Sequence, residues 1–198
     1  MRGLDKLVEV GAITALVAAS SAFGQSESEA QHGFWAGVDA GYGQLKRTYT
    51  VTPSTSESKP SLRFRAGYFP TPRVLLGVEL GGWNLQGSND AFKGEGIETI
   101  FAVGRYYPLE RSLLFVEGGL GSVKYWNNRP LEQGANGSGA FLGVGHDFHL
   151  TGRVRWAPSI DYSWGRFNGA VSPPGVTQDE RYRAVTLRLG FTYRLGGT

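Results

Sequence analysis

The chain has 198 residues, enough for one domain, and its 20 Lys and Arg against 17 Asp and Glu give a formal charge of +3. No basic run stands out, which argues against nucleic acid as a partner. With no cysteine, disulfides, thiol catalysis, cysteine–zinc sites and the cysteine-linked anchor of a bacterial lipoprotein are excluded.

Residues 1–24 are expected to be a secretory signal. Arg2 and Lys6 form a basic start, Val10 to Ala19 an apolar run, and Ala22-Phe23-Gly24 places small residues before Gln25. The apolar run is well short of the ~20 residues of a membrane-spanning helix. Residues 25–32 are polar and read as a loose tail, leaving 33–198 for the folded domain.

From there the chain alternates apolar and polar residues in eight stretches, the period of a β-strand. The first predicted strand sets Phe34, Ala36, Val38, Ala40 and Tyr42 on one face and Gly37, Asp39 and Gly41 on the other. The second opposes Leu62, Phe64, Ala66 and Tyr68 to Arg63, Arg65 and Gly67, and the third Val74, Leu76, Val78 and Leu80 to Gly77, Glu79 and Gly81. In the fourth, about Glu98 to Tyr107, Ile100, Ala102 and Tyr106 share one face while Arg105, Phe101 and Val103 share the other. The fifth opposes Leu114, Val116 and Leu120 to Glu117, Gly119 and Gly121, and the sixth Leu142, Val144 and Phe148 to Gly143, Gly145 and Asp147. The seventh sets Val154, Trp156, Ile160, Tyr162 and Trp164 against Arg155, Ser159, Asp161 and Ser163. The eighth sets Val185, Leu187, Leu189, Phe191 and Tyr193 against Thr186, Arg188, Gly190, Thr192 and Arg194.

Short and long links alternate. The short ones are Phe69 to Arg73, Tyr107 to Ser112 and Leu150 to Arg153; the long ones are Gln44 to Pro60, Asn84 to Gly96, Lys124 to Ser138 and Arg166 to Glu180. Tight turns at one end and long loops at the other predict an all-β, eight-stranded antiparallel up-and-down barrel crossing an outer membrane. The mean hydropathy of −0.23 fits, because barrel strands are apolar on one face only. A water-soluble barrel would carry Lys, Glu, Ser and Thr outside; here the polar face is mainly glycine with a few charges, which suits a narrow lumen.

Those inward charges balance and are expected to pair in the lumen: Asp39, Glu79, Glu117, Asp147 and Asp161 with Arg63, Arg65, Arg155, Arg188 and Arg194, and Arg105 as a further base. Turns centred near Thr71 and Thr151–Gly152 would set Arg63 opposite Glu79 and Asp147 opposite Arg155. Aromatic residues near strand ends, among them Phe34, Tyr42, Tyr68, Trp83, Tyr106, Tyr125, Trp126, Phe148, Trp164 and Tyr193, predict girdles at the membrane surfaces. His146 and His149, three apart on a strand, point to opposite faces and cannot share a metal. The Gly118–Gly121 and Gly143–Gly145 stretches lack the following helix of a dinucleotide loop, so neither cofactor nor metal is expected.

The last strand carries the most specific motif, Arg188-Leu189-Gly190-Phe191-Thr192-Tyr193-Arg194-Leu195. It is similar to the C-terminal β-signal read by the outer-membrane barrel-assembly machinery, with Arg188, Gly190, Tyr193 and Leu195 in the polar, small, aromatic and hydrophobic positions. The segment from Gly33 to Leu195 as a whole resembles the small OmpA/OmpX-type outer-membrane β-barrel superfamily. The resemblance implies the outer membrane of a Gram-negative-type bacterium, with outer-membrane lipid, lipopolysaccharide and the assembly machinery as partners. It extends to structural barrels, surface-interaction proteins, narrow pores and a few lipid-modifying enzymes. Against the last stands Ser163, a serine with Asp161 where lipid A deacylases have histidine and Trp164 where they have asparagine; without a base it is a poor nucleophile. The expected role is therefore non-enzymatic: a barrel with its lumen filled by side chains, acting in envelope structure or in surface interaction through outer loops bearing Lys46, Arg47, Glu57, Lys59, Asn127, Asn128, Arg129, Glu132, Asp179 and Glu180, with a narrow pore for ions or small solutes as the alternative. Mass spectrometry of the exported protein should find its N-terminus at Gln25; retention of residues 1–24 would overturn the signal reading.

Overall fold

The structure, a computed structural model, describes residues 33–49, 53–85, 95–109, 113–127, 134–171 and 177–195. Residues 1–24 and 25–32, expected to be a secretory signal and a tail, lie outside them, as do Asn128, Arg129, Glu132 and Gly196-Gly197-Thr198. No helix among the described residues is long and apolar enough to cross a membrane, which says nothing of strands.

The alternating stretches form β1 (Gly33–Tyr49), β2 (Thr55–Thr71), β3 (Val74–Asn84), β4 (Glu95–Tyr106), β5 (Leu114–Asn127), β6 (Ala135–His146), β7 (Phe148–Thr151), β8 (Val154–Val171) and β9 (Thr177–Leu195). Each pairs antiparallel with its neighbour, β1 also pairs with β9, and β6 pairs with β8. β6 and β7 are two segments of one stave parted at Asp147, so the sheet closes into an eight-staved up-and-down barrel. Closure leaves no free strand edge, as a lipid environment requires.

Alternation sorts the side chains as the sequence predicts, including on β4, where Ile100, Ala102 and Tyr106 face out while Phe101, Val103 and Arg105 are buried. The outside is apolar: Leu120 is 70% exposed, Leu142 59%, Phe64 56% and Leu187 56%, with similar residues on every side. A contiguous surface of this kind is not left in water. Within this apolar band the charged residues are the ones that are buried.

Three expectations are corrected. The first, third and last long links are shorter than the sequence suggests. β1 runs to Tyr49 and β2 starts at Thr55, β5 runs to Asn127 and β6 starts at Ala135, and β8 runs to Val171 and β9 starts at Thr177, so Lys46, Arg47, Glu57, Lys59, Asn127, Asp179 and Glu180 lie on strands. There the outward residues turn polar (Gln44, Lys46 and Thr48 on β1) and the apolar ones, such as Leu45 and Tyr182, lie inside, so the outward-apolar pattern of the membrane stretch stops. The register is also displaced by two residues. Arg65, not Arg63, stands opposite Glu79, and His149, not Asp147, stands opposite Arg155. Both hairpins turn later than expected, at Pro72–Arg73 and Gly152–Arg153, and both carry a register shift just before the turn. Gly152 has φ +42°, a left-handed conformation that favours glycine, and the turn is fixed there. Finally, Trp83 and Tyr125 do not join an outer girdle; both are buried inside. Trp83 shares the parity of Glu79, and Tyr125 that of Glu117.

The lumen is filled in three levels. Toward the long-link end, an apolar layer includes Leu45, Trp83, Ile97, Phe101, Phe141, Phe167 and Tyr182. Toward the short-turn end, Trp35, Phe69, Leu75, Tyr107, Phe115 and Ala157 form a second. Inward glycines make room for these rings: a Cβ at Gly119 would meet the Phe141 ring at 2.5 Å, and one at Gly145 or Gly165 would overlap Phe115 or Tyr182. Between the layers lie most of the charges, with Asp147, Arg155 and Arg194 at the level of the short-turn layer.

Candidate functional site in the barrel lumen

The charged layer is built by parity. Each stave contributes inward residues at the mid-depth of the barrel, and the closed circumference brings together carboxylates and guanidinium groups far apart in sequence.

Two chains of ion pairs result. In the first, Arg65 on β2 donates to Asp39 on β1 at 2.6 Å and to Glu117 on β5 at 2.8 Å. Glu117 also accepts from Arg105 on β4, from Nη2 at 2.8 Å and Nε at 3.1 Å. Arg105 reaches on to Asp147 at 3.1 Å, and Asp147 accepts the Tyr107 hydroxyl at 2.8 Å. Arg155 and Arg194 complete the surroundings of Asp147 at 3.9 and 3.8 Å. In the second chain, Arg63 bridges Glu79 (Nε to Oε1, 3.2 Å) and Asp161 (Nη2 to Oδ1, 2.9 Å). Asp161 also accepts from Arg188, whose Nη1 donates to Ser61 Oγ at 2.9 Å.

Burial is nearly complete: Glu79 is 0% exposed, Asp161 1%, Asp39 2% and Arg63 2%. Charges removed from water to this degree persist only when paired and hydrogen-bonded. Shared carboxylates meet that demand, with Glu117 serving two arginines and Asp161 two more. Guanidinium groups also stack on the flanking apolar layers. Arg105 lies 3.6 Å from the Phe115 ring centre, Arg63 4.7 Å from Phe141 and Arg194 4.7 Å from Phe69.

Asp39, Arg63, Arg65, Glu79, Glu117, Asp147, Arg155, Asp161, Arg188 and Arg194 all take part in these two chains. Sequence reasoning missed Ser61 and Tyr107, although each shares the parity of an arginine two residues away. Residues of the C-terminal motif divide. Arg188 belongs to the network. Gly190 stands directly opposite Asp39, and a Cβ there would overlap the Asp39 carboxylate that Arg65 holds. Tyr193 points outward, 44% exposed, and Leu195 pairs through its backbone with Phe34. Ser163 is 0% exposed in the lumen wall, and Asp161, two residues before it, is engaged by Arg63 and Arg188. Among the described residues no group of three or more His, Cys, Asp or Glu is arranged to hold a metal ion.

A family model, the outer membrane protein beta-barrel domain, matches residues 12–195. The chain belongs to that family. It is an outer-membrane protein of the Gram-negative type, so the short turns lie on the periplasmic side and the long links outside. Among solved structures it is similar to Neisserial surface protein A, with a TM-score of 0.58 at 17% identity, covering 82% of this chain and 97% of that one. It is also similar to the outer membrane protein AlkL as determined in lipid bilayers, with a TM-score of 0.53 at 14% identity, covering 88% and 96%. These likenesses show the fold. The comparison with curated proteins found no match.

Removing one partner of a buried pair leaves the other uncompensated, at a cost of about 3–5 kcal/mol. Glu79→Ala should therefore lose about that much in urea unfolding from lipid, whereas Glu57→Ala, whose side chain is 39% exposed beside Lys59 and Arg47, should lose about 0–1 kcal/mol. Exchanging Arg63 with Glu79 sets a carboxylate at position 63 against Asp161, so the double exchange should not restore stability. Equal losses for the two single variants, or full recovery in the exchange, would refute the network.

Proposed function

We propose that the protein is a sealed, non-enzymatic barrel that acts in envelope structure and presents its extracellular rim and loops to other surfaces. The observation that carries this reading is the filled lumen. A layer of shared ion pairs lies between two layers of buried rings, and Arg63 and Arg65 span the cross-section to β8 and β5. An eight-stranded barrel has an interior only wide enough for side chains, and here large ones occupy it. The reading as a lipid-modifying enzyme is weakened because Ser163 faces the lumen, away from lipid, with no base beside it in sequence.

Assembly is expected to use the β9 motif through its lipid-facing residue. Arg188 and Gly190 are required by the lumen whatever the assembly machinery reads, and Tyr193 is free of that constraint. Tyr193→Ala should lower the yield in the outer membrane while leaving the urea midpoint of the recovered protein nearly unchanged; unchanged yield would remove Tyr193 from the signal. In planar bilayers the purified protein should give no stepwise conductance in molar salt. Steady unitary steps, abolished by adding bulk at the lumen constriction, would replace this reading with that of a narrow pore.

A further inference from the structure

The barrel wall is uneven in height. β1, β2, β8 and β9 have 17, 17, 18 and 19 residues, whereas β3 and β4 have 11 and 12. A strand crosses the membrane in about 9–11 residues, so the four long, contiguous strands rise well above it on the extracellular side. On β9 the outward residues are apolar from Tyr193 up to Val185, and the next two outward positions are Arg183 and Arg181.

Those arginines belong to a cluster. Lys46 on β1 stands directly opposite Arg183, and Arg166 on β8 directly opposite Arg181, and all four side chains are exposed on the outer face. Opposed side chains on an antiparallel pair have Cβ atoms about 4.5–5.5 Å apart, and like charges so placed repel. None of the four forms an ion pair among the described residues. On the far side of the barrel the exposed Lys124 has Glu98 directly opposite. The tall wall therefore gathers four cations, as two directly facing pairs, at the level where the apolar band ends.

A second observation lies directly beneath. Tyr162 and Val185, an opposed pair, line an outward-facing apolar groove of about 430 Å³ with Ile160, Leu142, Val144 and Val116. One step up the same strands, Trp164 stands opposite Arg183 and stacks on Tyr162 at 5.7 Å. Basic cluster, interfacial aromatics and apolar groove thus follow one another along β8 and β9 in the order headgroup, interface, acyl chain.

We propose that this face is a binding site for an outer-leaflet lipid whose head bears more than one phosphate. The phosphates sit among Lys46, Arg166, Arg181 and Arg183, and an acyl chain lies in the groove. Guanidinium groups suit phosphate oxygens through paired, charge-assisted hydrogen bonds, and two phosphates supply the negative charge that two facing pairs of cations require. The site is on the outer wall and stands whether or not the lumen conducts.

The test is a native mass spectrometry titration of the folded full-length mature protein in neutral detergent. The probes are a bis-phosphorylated lipid A, the same lipid after dephosphorylation, and inorganic phosphate as competitor. Arg181→Gln with Arg183→Gln should weaken binding of the phosphorylated lipid about tenfold or more, while Lys124→Gln leaves it unchanged. Val185→Trp, which fills the groove, should weaken it without touching a charge. The dephosphorylated lipid should bind as poorly to the native protein as the phosphorylated lipid binds to the double variant, and inorganic phosphate should not displace the bound lipid. Heat-dependent gel migration checks that each variant is folded. Wild-type affinity in the folded double variant, or equal affinity for the dephosphorylated lipid, would overturn the proposal. Full displacement by inorganic phosphate would assign the cluster to free anions instead.

Discussion

The structure depends on one constraint: a narrow, closed lumen must hold ionised groups away from water. Eight staves leave a cross-section that side chains fill, and five carboxylates meet six guanidinium groups in its two chains of ion pairs. A bare pair would recover little of its desolvation cost. The barrel instead links its charges in chains. Glu117 accepts from two arginines, Arg63 serves two acids, and arginine faces stack on Phe115, Phe141 and Phe69. The apolar layers above and below limit the entry of water that would otherwise weaken these pairs. Inward glycines in turn let the rings of those layers seat against the wall.

Much of this was legible in the sequence because a strand has a period of two. Once Asp39, Arg63, Glu79 and Arg188 were assigned inward, every residue of the same parity followed, and the structure places them so. What parity cannot supply is register, which depends on where each turn falls. The late turn at Pro72–Arg73 sets Glu79 opposite Arg65, while the long arm of Arg63 still reaches Glu79 diagonally, and the late turn at Gly152–Arg153 sets His149 opposite Arg155. Trp83 and Tyr125 show a different failure. Their position near strand ends suggested the membrane surface, yet their parity already placed them inside with Glu79 and Glu117. Where the two signals conflicted, parity was the stronger, because it follows from backbone geometry and not from residue preference.

The strand extensions were hidden for a physical reason. The outer wall is apolar only where lipid covers it, and β1 and β9 continue beyond that band with Lys46, Thr48, Arg183 and Arg181 outward. Inside, the same stretches hold Arg47 near Glu57 and Glu180. With cations outward and Leu45, Tyr182 and Ala184 inward, the lipid-facing pattern reverses, although the backbone ladder runs on without interruption to Tyr49 and Glu180.

The way the ion pairs cross the lumen bears on how such a barrel can be built. Arg63 and Arg65 on β2 take their carboxylates from β1, β3, β5 and β8, so the second hairpin element is satisfied only when chain from nearly the whole domain has arrived. A lone β1–β2 hairpin entering lipid would carry two arginines and one aspartate, an unbalanced load facing hydrocarbon. Stepwise insertion of separate hairpins is thereby penalised, and near-simultaneous closure is favoured. The cross-lumen bridges act as a proofreading device of the fold: a sheet that curls with a missing or slipped stave leaves cations without their carboxylates and stays costly to bury, whereas in the complete ring each of these arginines lies beside an acid.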